Sequence, residues 1–185
     1  DQFGRNPDKL ALFRVFDPSG NLLPDSRWEL VGRASSTALN GANRVQVRGD
    51  FAFVAGSYFP EISRGRALAR GVVVELSDPT DPRAVADVEL PDARRTKGLK
   101  IAGDAWFLAG GQTVQAYDIR DPKAPRLMTS LRSMKAFPTA DDNAHDLVYR
   151  DGYLYVTSQG DHDLVVLRVD EKLRELTSPV GPSLQ

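Results

Sequence analysis

Three stretches of the chain repeat one pattern: NRVQVRGDFAFVA (residues 43–55), KGLKIAGDAWFLA (residues 97–109) and HDLVYRDGYLYVT (residues 145–157). Each has an alternating run, a Gly-Asp or Asp-Gly pair, and a second alternating run that contains aromatic residues. A two-residue hairpin turn needs a positive φ, which Gly and Asp tolerate better than other residues. The pattern therefore predicts three β-hairpins, followed by similar strands in each repeat.

The strand after each hairpin also repeats. VVVELSDPTDPR (residues 72–83) matches VQAYDIRDPKAPR (residues 114–126), and both contain Asp-Pro-x-x-Pro-Arg. The same strand is predicted at LVVLRVD (residues 164–170) and, before the first hairpin, at LALFRVFDP (residues 10–18). Proline lacks an amide proton for a strand ladder, so it marks the end of the third strand. Fourth strands are predicted near residues 28–33, 85–90, 127–131 and 173–176.

One repeat is thus four antiparallel strands in about 45 residues, the size of a propeller blade. We predict an all-β chain, a β-propeller built of four-stranded antiparallel blades whose ring is incomplete here. A β-sandwich or an open meander is the alternative, but neither is expected to repeat the Asp-Pro motif in successive units. The predicted division is residues 1–42 (second half of a blade plus linker), 43–96 (blade with a loop insertion at 57–71), 97–142 (blade), 143–178 (blade) and 179–185 (tail).

The segments GDFAFVA (residues 49–55), VVVEL (residues 72–76) and SDPTDP (residues 77–82) resemble the LVIVD-type repeat of bacterial and archaeal propeller proteins. The copy at residues 103–109 and 117–122 is similar too, whereas the third copy matches in its hairpin only. The resemblance implies a propeller fold and a secreted or cell-surface protein, so we expect an extracellular, periplasmic or cell-surface location. It implies no particular reaction, because fold does not determine function.

The amino-acid composition limits the kinds of partner and metal site that the chain can have. The 24 Lys and Arg residues nearly balance the 25 Asp and Glu residues, which gives no electrostatic reason to expect nucleic acid as a partner. The chain has no cysteine, which excludes disulfides and thiolate-bound metals. No apolar run approaches the roughly 20 residues that span a bilayer.

Candidate site residues lie where the first strand of each blade begins. The repeat aligns Asn43, Lys97 and His145 there, and we expect these three side chains to line a central channel. His145, Asp146 and Asp142 are the candidate ligands for a divalent cation, the one cofactor we consider, since the run from 141 to 146 is rich in oxygen donors. Asp and Asn also favour such loops for turn geometry alone. His162, the other histidine, is interpreted as part of a solvated turn.

Two functions follow as hypotheses. The first is a non-catalytic binding or scaffold propeller, because no catalytic motif is present in the sequence. The alternative is a lactonase-like propeller hydrolase with a metal in its channel. An incomplete row of blades leaves bare faces, so the expected partners are further blades of the same protein or another subunit that completes the ring. The aromatic residues Trp28, Trp106, Tyr153 and Tyr155 are predicted to pack between blades.

Overall fold

The structure, a computed structural model, describes residues 9–39, 41–58, 68–91, 93, 96–132, 137, 144–158, 163–169 and 176–177. The described part is all-β, as the alternating pattern predicted, with short 3-10 turns at Asp25–Arg27 and Thr37–Leu39. No helix among these residues has the length and apolar content to cross a bilayer.

The strands form one two-stranded and three four-stranded antiparallel sheets. The half unit contains β1 (Lys9–Arg14) and β2 (Glu29–Ser35). Unit A contains β3 (Arg44–Arg48), β4 (Phe51–Tyr58), β5 (Leu68–Glu75) and β6 (Arg83–Leu90). Unit B contains β7 (Gly98–Ala102), β8 (Ala105–Gly110), β9 (Thr113–Asp118) and β10 (Arg126–Arg132). Unit C contains β11 (Ala144–Arg150), β12 (Tyr153–Ser158), β13 (Asp163–Val169) and β14 (Leu176–Thr177).

The hairpin turns are equivalent in the three full units. Gly49, Gly103 and Asp151 all have positive φ values, of 55°, 55° and 51°. The third strand returns to the same turn each time: the amides of Leu76, Ile119 and Val169 donate to the carbonyls of Asp50, Asp104 and Gly152, at 2.7, 2.9 and 2.8 Å. The repeat read from the sequence is therefore also a repeat of backbone geometry.

The Asp-Pro turns are equivalent as well. The Oδ1 atoms of Asp17, Asp78 and Asp121 accept hydrogen bonds from the amides of Ser19, Thr80 and Lys123, at 2.9, 2.9 and 3.0 Å. These contacts form Asx turns, in which the carboxylate replaces a backbone acceptor. Hydrogen bonding lowers the pKa of Asp17, chiefly through Asn21, and that of Asp78, chiefly through Thr80. The match at Asp17 shows that the half unit contains the third and fourth strands of the repeat.

One recurrent feature could not be read from the sequence. The third and fourth strands of three units shift register at the same place, with one unpaired residue in the fourth strand: Val31, Val85 and Met128. A bulge of this kind increases the local twist of a sheet. The bulge therefore recurs at the same point of the half unit, unit A and unit B.

The loop insertion predicted at residues 57–71 is shorter than expected. Ser57 and Tyr58 extend β4, and the first four residues of β5 pair with residues 55–58, from Tyr58 opposite Leu68 to Ala55 opposite Gly71. Continued ladder pairing satisfies these backbone groups, which a loop would leave to solvent. The rest of the insertion, residues 59–67, lies outside the described residues.

Consecutive units pack face against face. We call the face of a sheet that points to the next unit its forward face, and the opposite one its rear face. Three buried clusters lie between half unit and A, between A and B, and between B and C. Unit B has neighbours on both sides, and accordingly every residue of β8 and β9 is buried. Strands covered on both faces favour near-continuous small and apolar sequences such as AWFLAG.

Trp106 is the centre of the cluster between units A and B. Its indole ring is fully buried and meets Phe53 edge to face, with ring centroids 5.3 Å apart. Gly71 makes this position possible, because a Cβ atom there would lie 2.5 Å from Trp106 Cη2. The prediction that Trp106 packs between blades is confirmed as a contact between neighbouring sheets.

Candidate functional site

The predicted channel positions lie at the start of the first strand of each full unit, and we call these strands, β3, β7 and β11, the inner strands. Asn43 and Lys97 immediately precede β3 and β7, and His145 is the second residue of β11. The amides of Asn43 and Lys97 make equivalent bonds to the carbonyls of Ala55 and Ala109, at 2.9 and 3.0 Å. The Asn43 side chain also donates to the Thr96 carbonyl at 3.0 Å, which fastens unit A to the entry of unit B. Asn43 therefore links two units, and its place in the lining of a channel stays a prediction.

An ion pair joins the first and last inner strands. Arg44 of unit A meets Asp146 of unit C, with Nη2 and Oδ2 3.3 Å apart and both side chains about half exposed. The equivalent position in unit B is Gly98, where a Cβ atom would lie 3.0 Å from Leu147 Cγ. The absence of a side chain at Gly98 therefore allows close packing of unit B against Leu147 of unit C. The two partners lie on opposite sides of unit B.

His145 differs from the other two channel positions. The pairing of β11 with β12 shifts between Ala144 and Asp146, so His145 is the extra residue of a bulge. The amide of Asp146 donates to Thr157 Oγ1 at 3.1 Å. Bulges redirect side chains and occur often beside binding sites. The histidine is thus displaced from the regular ladder at the end of the inner strand.

The predicted cation ligands are only partly within the described residues. Asp142 and His162 lie outside them. Asp146 already forms an ion pair with Arg44, and a guanidinium competes with a cation for the same carboxylate. Within the part of the chain that the structure describes, no group of three His, Cys, Asp or Glu residues could hold a metal ion.

Polar contacts between units supplement the apolar packing. Gln46 Oε1 accepts from the Ile101 amide at 2.7 Å, Arg48 pairs with Asp104 at 2.5 Å, and Lys123 pairs with Glu75 at 2.8 Å. The Tyr117 hydroxyl of unit B lies 3.2 Å from the Glu89 carbonyl oxygen of unit A, and burial raises the pKa of Tyr117 to about 12. These polar contacts therefore fix the position of one sheet relative to the next, in addition to the stabilisation from buried apolar surface.

Among the carboxylates of the described residues, Asp118 has the pKa that is shifted most strongly. Its nearly buried side chain accepts three hydrogen bonds from the Arg120 guanidinium, at 2.5 to 3.1 Å, and one from Arg126 at 3.3 Å. Hydrogen bonds from Arg120 hold the pKa of Asp118 well below its usual range. These contacts connect the residues on either side of the Asp-Pro turn of unit B. The lowered pKa of Asp118 is therefore explained by a structural role in this turn.

The forward face of unit C is open. Register equates its residues Tyr153, Tyr155, Thr157, Leu164 and Val166 with Ala105, Phe107, Ala109, Val114 and Ala116 of unit B. The unit B set is fully buried against unit C, whereas Leu164 is 60% exposed and Val148, on the same face, is 57% exposed. No described strand covers this face.

The rear side of the array is open too. Val45 is 51% exposed, although its equivalents Leu99 and Leu147 are each 4% exposed. Phe13 and its cross-strand partner Leu30 are likewise exposed on the half unit. The prediction that Trp28 and Tyr153 are packed between blades is wrong. Both lie on end units, where no neighbouring sheet among the described residues covers them.

Sequence comparison and structure comparison give different results. No protein-family model and no curated protein matches the chain. Among solved structures, the chain is similar to a proposed 6-phosphogluconolactonase from Bacteroides uniformis, with a TM-score of 0.63 and 10% identity, over 92% of this chain and 48% of that one. It is also similar to a protein of unknown function from Desulfotomaculum acetoxidans, with a TM-score of 0.55 and 15% identity, over 90% of this chain and 50% of that one.

The chain therefore spans about half the length of these two structural neighbours. At such identities the likeness shows the fold alone. Fold and site together define the class: an all-β repeat protein of antiparallel four-stranded sheets, similar to larger proteins of the same architecture.

Proposed function

We propose that this chain is part of a β-propeller of the LVIVD-repeat type and acts as a non-catalytic binding or scaffold module of a secreted or cell-surface protein. The single observation that carries the proposal is the open forward face of unit C. Its residues occupy the positions that unit B uses to bind the next sheet. A face built like an interface and left open favours binding over catalysis as the role of this surface.

The energetic argument is simple. Full burial of one large apolar side chain stabilises a fold or a complex by roughly 1.5–3 kcal/mol. Covering the two tyrosines, the leucine and the two valines of the open face would therefore add several kcal/mol of stabilisation. Folded domains are stable by only about 5–15 kcal/mol in total. The expected occupants are further blades of the same protein or another subunit, and we expect no nucleic acid among the partners.

Sedimentation velocity over a concentration series tests this proposal. We expect the wild-type 185-residue chain to self-associate, because a second copy supplies apolar surface for the open face. The double variant Val148→Lys/Leu164→Lys should sediment as a smaller species than the wild type. The matched control is Leu127→Lys, since Leu127 is similarly exposed but lies on an outer strand of unit B.

Two results would contradict the proposal. One is a wild-type chain that stays monomeric at every concentration and melts cooperatively. The other is equal loss of association in Leu127→Lys and in the double variant, which would indicate general surface stickiness.

A second candidate function is a lactonase-like hydrolase with a divalent cation in the channel. The observation that favours it is the bulge that displaces His145 beside Asp146 at the end of an inner strand. Calorimetric titration of the chain with Mn²⁺ or Ca²⁺ tests it. Saturable binding that is lost in His145→Ala and retained in Arg44→Ala would support the hydrolase, whereas the absence of heat at millimolar metal would argue against it.

A further inference from the structure

We infer that a cleft at the junction of the inner strands of units A and B binds a small organic carboxylate. The cleft has a volume of about 500 Å³, which is within the range of pockets that hold small ligands. The inference goes beyond the proposed function, because it concerns a junction inside the chain and not the open face of unit C. The described residues that line the cleft are Gln46, Val47 and Arg48 of unit A and Lys100, Ile101 and Gly103 of unit B.

The charges at this cleft favour an anion. Arg48 and Lys100 are among the lining residues that the structure describes, and no Asp or Glu is among them. Lys100 has no ion-pair partner in the described part of the chain, whereas Arg48 is paired with Asp104. Two cations and one carboxylate leave one net positive charge, which a monoanion neutralises. Lys100 lies opposite Phe107 in the ladder, so its side chain starts on the far face of β7 and acts mainly through its charge.

Arg48 has an unused donor at the same place. Its Nη2 atom lies 2.5 Å from Asp104 Oδ1, while its Nη1 atom is buried and has no hydrogen-bond partner among the described residues. Buried polar groups in native proteins are nearly always hydrogen-bonded, and a bound ion or water often explains the exceptions. The side chain as a whole is 38% exposed, so a turn of the guanidinium brings Nη1 to the cleft. A carboxylate can then accept two parallel N–H bonds from Arg48.

The remaining lining groups suit the rest of such a ligand. Ile101 packs at the margin of the apolar cluster between units A and B, which gives the cleft one apolar wall. Gln46 uses its Oε1 atom to accept from the Ile101 amide at 2.7 Å, so the NH₂ group of Gln46 remains a donor. A short aliphatic acid therefore matches both the donors and the apolar wall.

The junction of units B and C shows that packing alone does not require these polar residues. The repeat places Ala102 and Gly152 there, at the positions of Arg48 and Asp104. Units B and C nevertheless share a buried cluster, in which Phe107 stacks on Tyr149 with ring centroids 6.0 Å apart. The polar groups at the A–B junction thus exceed what the repeat needs for contact between sheets, and we assign them to a ligand.

Titration of the isotope-labelled 185-residue chain with sodium isovalerate, followed by NMR, tests the inference. Isovaleramide is the matched ligand, because it has the same shape and no charge. We expect isovalerate to cause saturable shifts in the amides of residues 46–48 and 100–103. Isovaleramide should bind at least about fivefold more weakly, since hydrogen bonds to an ionised acceptor are the stronger ones.

Three variants locate the site. Arg48→Gln should weaken isovalerate binding by about tenfold, and Arg48→Lys by at least about threefold, because lysine keeps the charge but lacks the planar pair of donors. Arg150→Gln is the matched control, since Arg150 is the equivalent residue of unit C and pairs with Asp151. It should leave the affinity unchanged. Thermal melts without ligand separate loss of binding from loss of folding, and Arg48→Lys keeps the test open if Arg48→Gln does not fold.

Four results would overturn the inference. Equal binding of isovalerate and isovaleramide would mean that the cleft accepts an apolar group and not an anion. Equal weakening by Arg150→Gln would indicate nonspecific attraction to positive charge. The absence of shifts at tens of millimolar isovalerate would leave the Arg48 donor to a bound water. Tighter binding of inorganic phosphate than of isovalerate would replace the carboxylate with a phosphate.

Discussion

Gly71→Ala tests the contact between units A and B most sharply. The added Cβ atom would lie 2.5 Å from Trp106 Cη2, 2.6 Å from Trp106 Cζ2 and 2.5 Å from Leu108 Cδ1. Carbon atoms in contact prefer separations of about 3.5–4.0 Å, so the overlap is on the order of 1 Å. The indole ring cannot withdraw, because Phe53 and Tyr117 pack against it with ring centroids 5.3 and 5.7 Å away.

Overpacking of this kind costs roughly 1–3 kcal/mol, and we expect the upper part of that range. The melting temperature should fall by about 4–12 °C in a chain of this size. Urea unfolding followed by indole fluorescence measures the free energy directly. The Trp28→Phe background leaves Trp106 as the sole indole reporter, since the chain has two tryptophans.

A double-mutant cycle with Trp106→Phe isolates the clash, and tyrosine fluorescence or circular dichroism then reports the unfolding. Phenylalanine lacks the atoms equivalent to Cη2 and Cζ2, so Gly71→Ala should cost at least about 1 kcal/mol less in the Trp106→Phe background. Equal costs of Gly71→Ala in the two backgrounds would refute the reasoning. That result would mean that the two sheets do not meet at this point.

Three further predictions concern single contacts. Trp106→Ala should destabilise the chain by roughly 3–5 kcal/mol in urea, while Trp28→Ala should be nearly neutral; a small effect of Trp106→Ala would mean that the indole is exposed. Because its folded-state pKa is lowered, the Asp118 carboxylate stabilises the fold at pH values above its ordinary pKa of 3.8. This contribution is lost as the pH falls below that value towards the folded-state pKa. The Asp118→Asn variant should therefore lose less stability between pH 7 and pH 3 than the wild type. An equal shift of the urea midpoint between these two pH values in both proteins would contradict this. Asp78→Ala and Asp121→Ala should each lower the melting temperature measured by calorimetry by a similar small amount, and clearly unequal decreases would show that the two turns are not equivalent.

Local chemistry explains what could be predicted from the sequence. The hairpin turns depend on residues such as Gly49 and Gly103, whose positive φ is set within the turn itself. The Asx turns at Asp78 and Asp121 likewise depend on a side chain and an amide two residues apart. Such features require no knowledge of the rest of the fold, and the structure has them where the repeat placed them.

Features that depend on a partner strand or a neighbouring unit were missed or misjudged. The ladder that extends β4 to Tyr58 forms only because Leu68 lies opposite, and an insertion in the alignment does not show this. Trp28 is a residue type common in protein cores, but its side chain is 49% exposed because no described sheet covers it. The ion pair between Arg44 and Asp146 joins residues of two units that are 102 positions apart in the sequence, and the alignment does not show that their side chains meet.

Native-state amide exchange of the isolated chain tests the central claim most directly. The claim is that unit B is stabilised by neighbours on both faces, whereas the half unit and unit C each have a neighbour on one face only among the described residues. We predict the slowest exchange in β8 and β9, and exchange faster by about a factor of ten or more in the equivalent strands of unit C and in β1. Raising the protein concentration should slow exchange in unit C and leave unit B unchanged, because association covers the forward face. Uniform protection of all units at low concentration, or no concentration dependence in unit C, would contradict the account.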